Sequence, residues 1–294
     1  MSRLHGRRGF LAGAGLLTAA HVAGVPGTAV ADTRKAVEVV IDANGLSAPS
    51  TLAEGCLTLR VRATRTTALL LVRLRPGRSL DAYLRDLLLT NSANIEERKA
   101  ACRRVEMSVD QYGGAVLTAQ AVVEISSIVT RGAYHLIAYD YADNAAKPVV
   151  KAVKVEGAGA DRKQFPGVDG TIIHRQDGTR TRIDVAGAPL LRNGRFLVVN
   201  ASNGLNEAVF IPVAPGTTAT GLQDVFDAIK SGKQPPSIPF RGQPVGLAPL
   251  SRGRSAAVQI DLPAGPYVLL SHIVDPATGH PRAYDGAYQL LTLT

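Results

Sequence analysis

The chain has no tryptophan, and aromatic residues make up only 5% of its 294 positions. With so few flat rings it offers no evident stacking platform for sugars or single-stranded nucleic acid, and no nucleic-acid partner is expected. Charge is scarce as well, at 19% against 46% hydrophobic residues. That balance, without a long polar tract, excludes a disordered chain and predicts buried cores. Nucleotide and hydrolase signatures are missing. There is no P-loop or strand-anchored dinucleotide fingerprint. The only approach to a nucleophile elbow, Gly45-Leu46-Ser47-Ala48-Pro49, ends on the wrong residue.

What is present begins with an address. Arg3, Arg7 and Arg8 precede an apolar stretch from Phe10 to Val25, and Ala29, Val30 and Ala31 follow before Asp32. That charged, apolar, small-residue order predicts a signal peptide at residues 1–31, cleaved after Ala31. Arg7-Arg8-Gly9-Phe10-Leu11 resembles the twin-arginine consensus, although Gly6 stands where Ser or Thr is usual; a Sec signal or uncleaved anchor is the alternative. The expected destination is extracellular or cell-wall associated. Beyond the signal, Arg, Asp or Gly interrupts every apolar run, so no span is expected in the mature chain. Removing the signal's three Arg lowers the net charge from +9 to +6. Arg60 with Arg62, and Arg73 with Arg75, project from strand faces and make a candidate contact for anionic wall polymer. Export also permits Cys56 and Cys102 to form a disulfide, while the apolar pattern around Cys56 suits a buried thiol.

The remaining sequence reads as short alternating strands between Gly, Pro, Asn and Asp turns, as in Leu57-Thr58-Leu59-Arg60-Val61 and Val258-Gln259-Ile260-Asp261-Leu262. Two helices interrupt it. Ser79 caps one whose face carries Leu80, Tyr83, Leu84 and Leu87; Thr220 or Gly221 opens another carrying Leu222, Val225, Phe226 and Ile229. Each follows a Pro-Gly pair, Pro76-Gly77 and Pro215-Gly216, and the pairs are 139 residues apart. The same offset relates Leu69-Leu70-Leu71-Val72 to Ala208-Val209-Phe210-Ile211, and with a small length change Gly132-Ala133-Tyr134 matches Gly265-Pro266-Tyr267. One β unit used twice is expected. It occupies residues 32–154 and 170–294, joined by a linker at 155–169, and Asp177-Gly178 turns a hairpin that opens the second copy. A Glu- and Arg-rich helical insertion at residues 91–110 distinguishes the first copy, without a functional account.

The second copy, over residues 180–294, resembles the secreted cupredoxin-like proteins, and residues 36–154 do so more faintly. The resemblance is carried by Leu197-Val198-Val199-Asn200, Asn206-Glu207-Ala208-Val209, Pro215-Gly216, Gly265 to Ser271, and Asp275 to Gly279 with Pro281 and Gly286. It implies two tandem Greek-key β-sandwiches, an all-β class, each with a short helical insertion. In copper-binding members two His, a Cys and a Met hold the metal. At the matching positions this chain has Asn206, Ser271, Arg282 and Ala287, so no copper centre, and no other cofactor, is expected. His272 and His280 lie near and are the weak metal candidates. Alternation turns His272 to the face opposite Ser271.

The function expected is an exported, non-catalytic binding or scaffold protein with an unidentified protein or anionic wall polymer as partner. Two alternatives stand beside it: a copper-handling or redox protein with an atypical site, and an enzyme whose residues meet between the copies.

Overall fold

The computed structural model describes residues 36–140, 147–157, 164–187 and 189–294. The expected export signal at residues 1–31 and part of the expected linker lie outside these residues. Among the described residues, no helix is long and apolar enough to cross a membrane.

The first copy contributes β1 (Val37–Asp42), β2 (Gly45–Ser47), β3 (Thr51–Ala53), β4 (Gly55–Ala63), β5 (Thr67–Leu74), α1 (Leu80–Leu89), α2 (Ile95–Ser108), β6 (Val109–Leu117), β7 (Val122–Val129), β8 (Gly132–Asp140) and β9 (Val149–Glu156). The second contributes β10 (Gly170–Asp177), β11 (Arg180–Ala186), β12 (Arg195–Ala201), β13 (Asn206–Pro212), α3 (Ala219–Lys230), β14 (Val245–Leu250), β15 (Ser255–Gln259), β16 (Gly265–Leu270), a 3-10 turn (Arg282–Asp285) and β17 (Tyr288–Leu293). This is the all-β class the resemblance implied, and the two copies follow one plan. In each, a hairpin (β1-β2, β10-β11) lies parallel to the next long strand (β4, β12) in one sheet. The chain then crosses to the other sheet.

The sheets do not stop at the copy boundary. One sheet orders its strands β11-β10-β12-β15-β7-β4-β1-β2, the other β17-β16-β13-β14-β6-β5-β8-β9-β3. The junction strands pair with their own counterparts, antiparallel: Ile125 of β7 faces Val258 of β15, and Ala115 of β6 faces Leu247 of β14. An approximate twofold axis therefore passes through the junction. Gly114 and Gly246 occupy matching places beside it with φ of 139° and 156°. A Cβ there would lie 1.9 Å from the Leu69 carbonyl oxygen and 2.2 Å from that of Ala208, so only glycine fits.

Burial explains why some strands read as continuous apolar runs. Leu69 and Leu71 of β5, with Ala208 and Phe210 of β13, face the core between the sheets. Leu70, Val72, Val209 and Ile211 face outward into a second core, which Tyr83, Val105, Leu222 and Phe226 of the three helices cover. A strand buried on both faces loses polar alternation. The Ser79 side chain caps α1 by accepting from the Ala82 N–H, as expected. The cap of α3 lies earlier than expected, at Thr218, because its hydroxyl reaches the Gly221 N–H. The insertion forms α2, capped by Asn94.

Candidate functional site

The four positions that the resemblance matched to copper ligands, Asn206, Ser271, Arg282 and Ala287, are gathered at one end of the second copy. Ser271, fully buried just past β16, accepts from the Glu207 N–H through its hydroxyl at 3.3 Å, while the Glu207 carboxylate accepts from the His272 N–H at 3.0 Å. These two side-chain bonds continue the β13-β16 ladder beyond its last backbone pair. Ser271 donates its N–H to the Ala287 carbonyl, and Ala287 donates to that of Arg282. Asn206, also fully buried, donates to the Ser202 hydroxyl at 2.6 Å. Asn200 donates to the Gly204 and Leu250 carbonyls, tying the 201–205 loop to β14.

Arg282 is the electrostatic centre, with a side chain only 7% exposed. It donates to Asp275 at 2.9 Å and to Thr181 at 3.2 Å, and lies 3.6 Å from the Glu106 carboxylate of α2. Glu106 also accepts from the Leu205 N–H at 3.1 Å. Burial raises the Glu106 carboxyl above its ordinary value, and the Leu205 bond and Arg282 pull against that rise. Gly204 makes room, since a Cβ there would stand 2.2 Å from the guanidinium and 2.8 Å from Glu106. His174, fully buried, is pushed down to about 4 by desolvation and is neutral at pH 7. Neither ring nitrogen meets a hydrogen-bond partner among the described residues.

This donor set does not fit copper. A guanidinium keeps its charge and offers no lone pair, an alanine methyl offers no donor atom, and the Asn206 amide nitrogen and Ser271 hydroxyl are engaged within the protein, which leaves Asn206 Oδ1, a single hard oxygen, where copper wants imidazole and sulfur. Among the described residues no group of three or more His, Cys, Asp or Glu could hold a metal ion. His280 stacks beside Tyr284 with centroids 6.4 Å apart. His272 is half-buried, and desolvation pushes it down to about 4.

His272 belongs instead to a cavity of about 310 Å³ between the copies. The first copy lines it with Leu70, Leu87, Val105, Glu106, Gln111 and Tyr139, among others; the second adds Leu205, Glu207, His272 and Ile273. The insertion supplies one wall. Arg98 and Arg103 of α2 donate to the Gly279 and Pro276 carbonyls, and Glu106 reaches Arg282, so α2 of the first copy is fastened over the second. Sequence reasoning found the insertion but not this role, because the contacts join residues more than 170 apart.

The structure divides the other expected site residues. Arg60 and Arg62 lie on β4 in one sheet, paired with Glu38 and Glu124. Arg73 and Arg75 lie on β5 in the other, Arg73 over the Tyr134 ring and Arg75 paired with Asp110. The four arginines therefore make no single basic surface. Nor is the permitted disulfide formed: Cys102 carries a free, buried thiol on α2, whereas Cys56 is buried in β4 of the sheet away from the helices. Burial pushes the Cys102 thiol up to about 11.

No protein-family model and no curated protein matches the chain. Solved structures do. Auracyanin B matches at 18% identity, covering 42% of this chain and 86% of its own, with a TM-score of 0.25. A multicopper oxidase matches at 11%, covering 88% of each chain, with a TM-score of 0.22. The copper nitrite reductase of Nitrosomonas europaea matches at 12%, covering 88% of this chain and 93% of its own, with a TM-score of 0.24. Likeness at this distance assigns neither copper nor a reaction to this chain.

Proposed function

We propose that this chain is an exported, non-catalytic binding protein on a cupredoxin-like frame without a copper centre, and that its ligand site is the cavity between the two copies. The observation that carries the reading is that cavity of about 310 Å³, at the lower end of the size range of small-molecule pockets, walled largely by apolar side chains with a few polar groups. Export rests on the Arg7-Arg8 signal and the small residues before Asp32.

The state of the lining groups favours binding over chemistry. A thiol pushed up to about 11 holds its proton at neutral pH and is a poor nucleophile. A histidine pushed down to about 4 is a weak base there. A cell-wall polymer is the weaker choice of partner, since the arginines that suggested it are divided between sheets and mostly paired with acids.

Native mass spectrometry of the exported protein tests the reading. A small molecule bound one-to-one is expected, absent from a Leu88→Trp variant, since Leu88 of α1 also lines the cavity and the larger ring would fill it. Stoichiometric copper in elemental analysis, lost on replacing His272 and His280, would establish the copper-handling alternative instead.

A further inference from the structure

The polar groups of the cavity wall are engaged within the protein. Glu106 accepts from the Leu205 N–H at 3.1 Å and lies 3.6 Å from Arg282, while Glu207 accepts from the His272 N–H at 3.0 Å. The Thr90 hydroxyl donates to the Leu87 carbonyl at 2.7 Å. Gln111 donates through its amide to the Tyr83 hydroxyl at 3.5 Å, and its Oε1, though unmatched, is shielded from the space. Asn91 is exposed to solvent. His272 is neutral and Cys102 protonated at pH 7, so neither adds charge. Among the described residues neither lysine nor arginine lines the cavity. The greater part of the wall is hydrocarbon, from Leu87 and Leu88 of α1, Val105 of α2, Leu205 of the 201–205 loop, and Ile273.

We propose that this cavity takes an uncharged, largely apolar molecule, held by burial of its hydrocarbon surface and not by an ion pair. The proposal rests on the cavity being the ligand site. At a liquid volume of roughly 30 Å³ per water, the space of about 310 Å³ holds on the order of ten heavy atoms. Removing apolar surface from water supplies a driving force that needs no directed partner. An anionic ligand would lose its hydration beside two carboxylates and meet no cation. An ammonium would have to draw Glu106 from Arg282, or Glu207 from the His272 N–H, which leaves its own desolvation uncompensated.

Calorimetry on the full exported chain tests this with three probes of similar size: propylbenzene, phenethylamine and phenylacetate. Propylbenzene is expected to bind one-to-one, at least tenfold tighter than either ion, and its binding is expected to vanish in Leu88→Trp. Leu88→Lys, which puts a cation on the wall, is expected to weaken propylbenzene at least tenfold and to admit phenylacetate. Leu88 is only half-buried, and a thermal melt verifies that the variant is folded. Ile273→Ser, expected to weaken propylbenzene at least threefold through the apolar contact it removes, provides a second reading. If phenethylamine or phenylacetate binds as tightly as propylbenzene and is lost in Leu88→Trp, the uncharged assignment falls while the cavity remains a ligand site. If propylbenzene binds Leu88→Lys and Ile273→Ser undiminished, or none of the probes binds, the assignment falls as well. The mass-spectrometric test then decides whether the cavity holds anything.

Discussion

Replacing Arg282 by Met removes the one cation among three oxygen-bearing partners: Asp275 at 2.9 Å, Thr181 at 3.2 Å and Glu106 at 3.6 Å. The carboxylates are 15% and 23% exposed, so water replaces little of what is lost. Removing one partner of a buried ion pair typically costs about 3–5 kcal/mol, because the other charge stays behind unpaired. Two carboxylates are left here, which places the expected loss near the upper end at pH 7. The double variant Glu106→Gln with Arg282→Met leaves only Asp275 charged and is expected to recover about 1–2 kcal/mol relative to Arg282→Met alone. The sign with pH follows from the same charges. The loss grows as pH rises, and shrinks as pH falls and Glu106, raised by burial, takes up its proton. Urea unfolding of the four members of the cycle at pH 5 and pH 7 measures all of this. A loss below about 1 kcal/mol for Arg282→Met, or no recovery in the double variant, would refute the claim that Arg282 is held by α2.

Other outcomes follow from groups described above. His174 and His272 are both pushed down to about 4, so each is neutral when folded and protonated when unfolded; stability is full above about pH 6.5 and falls toward pH 4 by about 3 kcal/mol for each, read as a midpoint shift in urea, and His174→Gln should flatten that slope. Gly114→Ala and Gly246→Ala each drive a Cβ into a carbonyl oxygen, at 1.9 and 2.2 Å, and should each cost more than about 3 kcal/mol, with Gly216→Ala, where nothing lies within 4 Å, costing less on thermal denaturation. The Cys102 thiol, pushed up to about 11, is ionised in only about one molecule in ten thousand at pH 7, so thiol-reactive dye should label it far more slowly in the native protein than in urea.

The duplication, the two Pro-Gly helices and the hairpin at Asp177-Gly178 were legible because each is a local signal: a turn pair, a cap, a change of period. What escaped is long-range. No periodicity says that Glu106 of the first copy meets Arg282 of the second, or that Arg60 and Arg73 enter different sheets although they sit on consecutive strands. His272 was expected to turn away from Ser271; which face that is, and that a cavity lies there, depends on what the neighbouring copy places opposite.

The counterpart strands that meet at the approximate twofold axis make each repeat the other's missing edge. A backbone severed between β9 and β10 would release two pieces, one ending in the bare rims of β6 and β7, the other in those of β14 and β15. Neither could stay dispersed alone, and mixing them should restore a single nicked protein. The repeats behave less like beads on a string than like two hands that hold only when clasped.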